Sequence, residues 1–188
     1  YHVSVVPLRH AEYKQSHLFV MHDITEIKDT QGRHNRMLDG IIATLVQAID
    51  RHDPYCEHHS VRTREVAVAI AEAMGMPRQR IESLSMAAML ANIGKLYIPS
   101  SVLTTTRSLT DEEEDMMRDS VRLGVDILKD LEFDGPVIEF VSQKNEYLDG
   151  SGYPAGLAGE EIHQESRILS VANAFVAMTS SRAWREGI

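Results

Sequence analysis

The spacing of apolar residues changes once along this chain, at Asp23, and that change restricts the fold more than any other feature. Before it, His2–Leu8 and Ser16–Met21 are rich in Val, Leu and Phe on either side of the polar stretch Arg9–Gln15, which predicts two antiparallel strands joined by a turn. Two strands alone are marginally stable, so this hairpin needs a further surface from a partner chain or from a larger domain. Beyond Asp23, Ile24, Ile27, Gln31, His34, Leu38, Ile41, Leu45 and Ala48 follow at alternating steps of three and four. That is a heptad seam with a polar middle, weakened at Gly32. Two readings stand side by side: a core-facing amphipathic helix from about Arg36, or a parallel dimer stalk.

The remainder reads as helical. Val61, Val66, Ala67, Ile70, Ala71 and Met74 form an apolar stripe over Ser60–Met74, and Gly75 follows as a stop. Pro77 opens a helix through Ile81, Leu84, Ala88 and Leu90, as a proline in the first turn permits. Thr110 with Glu113 predicts a capping box, and the acidic run Asp111–Asp115 suits the positive end of a helix dipole, which explains that run structurally. Val137–Asn145 and Ile168–Met178 complete the helices, separated by a loop punctuated by glycine and proline at Asp149–Pro154. The expected fold is mainly α: a helical bundle with a short N-terminal β-hairpin and a linker helix.

The 188 residues, 43% hydrophobic and 25% charged, suffice for one domain with a core and a smaller appendage. The apolar runs Met86–Leu90 and Val137–Val141 are too short to cross a bilayer, so no membrane span is expected in this sequence. A single cysteine, Cys56, rules out an internal disulfide and fits a reducing, cytoplasmic setting. A net charge of −9 with scattered Lys and Arg argues against nucleic-acid binding, though a local basic pocket for a phosphodiester remains compatible with it.

Metal and nucleophile chemistry find little support in the residues alone. Of nine histidines, His2, His10, His17, His22 and His34 fall in the hairpin or linker; His58 and His59 are adjacent, His52 lies one element earlier and His163 stands in a loop. No helix carries an HxxxH or ExxH pair, the spacing that converges imidazole and carboxylate ligands in a bundle. Cys56 beside His58 and His59 is better read as an inert thiol than as a nucleophile.

Five blocks taken together resemble the HD-GYP domains. They are Asp53-Pro-Tyr-Cys-Glu-His-His-Ser60 with Arg62; Ala91-Asn-Ile-Gly-Lys95 with Ile98-Pro99; Asp149-Gly-Ser-Gly-Tyr-Pro154 with Gly156-Leu157; Arg167-Ile-Leu-Ser-Val-Ala172; and Thr179-Ser-Ser-Arg182. The resemblance covers residues 38–188 and implies a helical bundle that hydrolyses cyclic di-GMP with two or three metal ions, often iron or manganese. The strands followed by His22-Asp-Ile-Thr-Glu26 resemble the end of a PAS domain, in which this motif leads into a signalling helix. The implied layout is a PAS-like hairpin at residues 1–24, a linker helix at 25–37 and the HD-GYP-like domain at 38–188.

The resemblance also implies where the metal ligands of the family fall. One histidine position is kept, at His59; the others fall on Ala91, Asn92, Ser120, Lys144, Asn145 and Asn173, none of which is a carboxylate or imidazole. Without metal no hydroxide is activated near neutral pH. The expectation is therefore a degenerate site with no metal cofactor, a chain that is not an enzyme, and a signalling module working through protein contacts or bound cyclic di-GMP. Ligand-binding candidates are Lys95, Gly152, Tyr153, Pro154 and Arg182; partners expected are a second copy through the linker helix, a signalling protein and cyclic di-GMP. The alternatives are a phosphodiesterase with a metal site rebuilt from Glu57, His58, His59 and Glu146, or a dimerisation scaffold. Lys144 is expected to supply the missing positive charge, with Asn92 and Asn173 hydrogen-bonded across the gap.

Overall fold

The computed structural model describes residues 1–8, 16–53, 58–180 and 187. The order is β1 (His2–Leu8), β2 (Ser16–His22), α1 (Thr25–His52), α2 (His59–Ala73), α3 (Arg78–Leu90), a 3-10 turn (Ile93–Tyr97), α4 (Ser100–Leu103), α5 (Asp111–Leu128), α6 (Val137–Ser142), a second 3-10 turn (Gly159–Glu161) and α7 (Gln164–Thr179). This is the mainly α fold with a hairpin that the change of spacing at Asp23 predicts.

The chain divides into two compact units, residues 1–44 and 45–188. In the first, β1 and β2 pair antiparallel with Val5 opposite Phe19 and His2 opposite His22. The Asp23 carboxylate accepts a hydrogen bond from the Thr25 amide at 2.9 Å, and hydrogen bonding from the Thr25 side chain first and then from this amide holds the carboxyl below its ordinary range as α1 begins.

In the second unit, the core is built where α2, α3, α6 and α7 meet. Ala67 and Ala71 of α2 and Ala87 and Ala88 of α3, two helices in contact, are all buried, and such small side chains permit close helix packing in a core that also holds Leu84, Phe140, Leu169, Ala172 and Val176. The end of α1 that belongs to this unit buries Val46 and Ile49, while Ile41 and Leu45 are exposed. The row facing the core is thus offset by one residue from the heptad seam. Pro77 stands as the N-cap of α3, one place before the first helical turn, with an extended backbone. A satellite cluster of Ile98, Val102 and Leu103, packed by Leu109 and Met117, supports the segment between the 3-10 turn and α5.

Candidate functional site

Three local devices bring the site together. Gly94 sets the 3-10 turn directly on α5: a Cβ there would lie 1.8 Å from the Ser120 carbonyl oxygen, so no other residue permits this approach. Gly152 does the same for the loop after α6, where a Cβ would fall 2.4 Å from the Glu146 Cα. The buried Glu146 carboxylate then ties that loop down, accepting hydrogen bonds from the amides of Ala155 at 2.7 Å and Leu157 at 3.0 Å. The Tyr153 amide donates to the Asn145 carbonyl at 3.1 Å, and the Tyr153–Pro154 bond is cis.

The result is a cleft of about 210 Å³ among α2, the 3-10 turn, α5, the post-α6 loop and α7. Its lining includes His59, Ala91, Asn92, Ser120, Lys144, Asn145 and Asn173, together with Lys95 and Tyr153. All seven positions that the family resemblance assigns to metal ligands therefore surround one space. Gly152 supports the loop from beneath rather than lining the cleft, Pro154 is exposed, and Arg182 lies outside the described residues.

Lys144 is only 7% exposed and donates to the Ala91 carbonyl and, at 3.0 Å, to the Asn92 Oδ1. Across the cleft, His59 Nε2 meets the Asn173 Oδ1 at 2.9 Å. Asn92 is thus bound to Lys144, and Asn173 to His59. Lys95, on the 3-10 turn, also lines the cleft and pairs with the buried Asp53 at 3.1 Å. At the rim, the Arg118 guanidinium stacks 5.3 Å from the Tyr153 ring centroid. Burial pushes the Tyr153 phenol above its ordinary range, Tyr147 adds to that, and Arg118 opposes it. Arg62 reaches the end of α7, donating to Ser180 Oγ at 2.8 Å and to Thr179 Oγ1 at 3.1 Å.

A divalent cation is poorly matched by this donor set. The cleft offers one imidazole, neutral amides and a buried lysine amine, and among the described residues no three His, Cys, Asp or Glu side chains gather in a metal-holding group. The rebuilt set does not assemble either: Glu146 is committed to loop amides, His58 is exposed, and Glu57 lies outside the described residues. No catalytic step through a metal is derived for these residues.

The chain matches the HD-domain family model over residues 43–188, and it belongs to that family. Within it the similarity is to the HD-GYP phosphodiesterases. The chain is 35% identical over 152 residues to the cyclic di-GMP phosphodiesterase response regulator RpfG of Xanthomonas campestris, covering 77% of this chain and 39% of the relative. It is 28% identical over 165 residues to a cyclic di-GMP phosphodiesterase of Pseudomonas aeruginosa, covering 87% of this chain and 39% of the relative. The chain thus spans about two fifths of the length of these curated relatives. A solved HDG"Y"P protein from Bdellovibrio bacteriovorus shares the fold, with a TM-score of 0.58 and 21% identity over 68% of this chain and 42% of that one.

These relatives correct one expectation. The loss of ligand residues reads, in the sequence, as a chain that is not an enzyme. The relatives are phosphodiesterases by name, and the family to which this chain belongs is one of metal-dependent enzymes. Replaced ligands describe a donor set, and inactivity does not follow from them.

Proposed function

We propose that this chain is a signal-transduction domain of the cyclic di-GMP phosphodiesterase family whose cleft receives a phosphodiester of cyclic di-GMP. One observation carries the reading: the described residues lining the cleft include two lysines, Lys144 against neutral oxygens and Lys95 paired with Asp53, and no Asp or Glu. Such a lining favours an anion locally, although the chain as a whole carries a net charge of −9. The volume, below the roughly 300–1,000 Å³ of typical ligand clefts, suits one phosphodiester and its sugars, with the bases toward the rim. There Tyr153 and Arg118 offer planar groups for stacking. Hydrolysis of the dinucleotide is the activity that the relatives' names bring to this chain; binding is the step that the residues of the cleft support directly.

The proposed layout keeps a PAS-like hairpin at 1–24 and a linker helix at 25–37 ahead of the domain at 38–188, delivering a signal from a sensor to a protein partner. Exposed Ile27 on the linker helix, followed along α1 by exposed Ile41 and Leu45, suits pairing with a second copy. A cytoplasmic setting agrees with the lone cysteine.

Calorimetric titration of the full chain with cyclic di-GMP tests the reading, with turnover of the dinucleotide followed in the same samples with and without added Mn²⁺. Saturable one-to-one heat is expected; no heat and no turnover at millimolar nucleotide would remove the proposal.

A further inference from the structure

We propose that the Lys144 amine, as an ammonium, takes within this chain the part that a divalent cation takes in a metal-dependent relative: it is the fixed positive charge on which the end of α3 and the end of α6 converge. The proposal concerns how the cleft is held together, and it stands whether or not cyclic di-GMP binds.

Lys144 follows α6, which ends at Ser142, and its side chain is almost fully buried. Two of its acceptors are neutral oxygens, those of the Ala91 backbone and the Asn92 amide. Ala91 is the C-cap of α3, where unpaired carbonyls form the negative end of the helix dipole and attract a cation. Asn92 is the N-cap of the following 3-10 turn, so one amine fixes the junction that also presents Gly94 and Lys95. Opposite, His59 is engaged by Asn173, again a neutral oxygen where a carboxylate would suit a dication. Neutral oxygens in place of carboxylates match a single positive charge; an ion of charge two placed beside the ammonium would be repelled at short range, and the described residues of the lining include no Asp or Glu.

Melting of the chain, with metal content measured on the purified protein, tests this. The wild-type melting temperature is expected to stay unmoved by EDTA and by added Mn²⁺. Lys144→Met, which strands two buried oxygens, is expected to melt lower by about 5 °C or more. The double variant Asn92→Asp with Lys144→Met leaves a buried carboxylate in the cleft that His59 also lines and is expected to regain stability with Mn²⁺, a rescue that an ordinary packing role for Lys144 would not produce. Should the variants lacking Lys144 fail to fold, Asn92→Asp alone decides: a carboxylate facing the ammonium is expected to melt at or above wild type. Stoichiometric Mn, Fe or Zn in the purified wild type, a fall of its melting temperature on chelation, an unchanged Lys144→Met melt, or a lowered Asn92→Asp melt would each overturn the proposal.

Discussion

Glu165 is fully buried at the first turn of α7, and the Arg80 guanidinium meets both its oxygens, at 2.5 and 2.6 Å. Burial pushes the carboxyl up, but the hydrogen bonds from Arg80, its own backbone amide and the charges of Arg80 and His163 together outweigh it, and the group ends below its ordinary value of 4.5. Arg80 also lies 5.5 Å from the Phe140 ring centroid, and Phe140 meets His163 edge-on. Arg80→Met removes the partner of a buried charge and is expected to cost about 3–5 kcal/mol in urea unfolding at pH 7. The pH dependence has a fixed sign: because the folded state holds Glu165 below 4.5, its contribution is complete above that value and is lost as pH falls below it. The wild type should lose stability below pH 4.5 more steeply than Arg80→Met does. A second residue, Arg118, is exposed and stacks on Tyr153 at the rim, so Arg118→Ala is expected to weaken cyclic di-GMP binding by roughly 3- to 30-fold while moving the melting temperature by less than about 2 °C. Equal affinity in the variant would remove the rim from the proposed binding surface. Neither pair was legible in the sequence. Arg80 and Glu165 are 85 positions apart, and Arg118 lies outside the block that holds Tyr153, so no local pattern links them.

Helices announced by their own ends were the most legible elements. Thr110 Oγ1 accepts from the Glu113 amide at 3.3 Å, and the Glu113 carboxylate accepts from the Thr110 amide at 2.9 Å, so the capping box read from two letters is present. The sequence did not show that Arg107 completes it with two 2.7 Å bonds to the same carboxylate. Arg107 is the leading cause that takes the Glu113 carboxyl down to about 2. Thr110→Ala is expected to cost about 1 kcal/mol, measured by chemical denaturation. Glu113→Gln is expected to erase a loss of stability that the wild type shows as pH falls from 4.5 toward 2. Other ends were misplaced for physical reasons. The expected helix Val137–Asn145 stops at Ser142 because Lys144 and Asn145 turn into the cleft. The contact of the 3-10 turn with α5 depends on Gly94 having no side chain, which a motif containing glycine suggests but cannot measure. Gly94→Ala is expected to cost at least about 1–3 kcal/mol and to abolish nucleotide heat, since the turn that carries Lys95 must shift.

At the scale of the whole chain, the candidate site was legible because the seven positions assigned by resemblance are drawn from five separate elements and all line one cleft. What they do there was less legible, since chemistry depends on which oxygen each amine or amide finds, and that is set by packing rather than by residue type. The linker helix poses the same problem in the other direction. Its heptad positions describe a surface that pairing would bury, whereas the residues that the second unit buries, Val46 and Ile49, occupy another face of α1. On this helix Val46 and Ile49 are buried in the core of the second unit, while Ile27, Ile41 and Leu45 stay exposed on a surface that pairing with a second copy would bury. Because the two faces are distinct, they are separable by mutation. If the seam joins two copies, the full chain sediments as a dimer, and Ile41→Glu with Leu45→Glu shifts it to monomer by adding like charges to a chain already at −9. The same change leaves the melting of the helical unit within about 2 °C, because neither side chain belongs to its core. A wild-type chain that sediments as a monomer at micromolar concentration would assign the seam to solvent, and a large loss of melting temperature in the double variant would place Leu45 in the core after all.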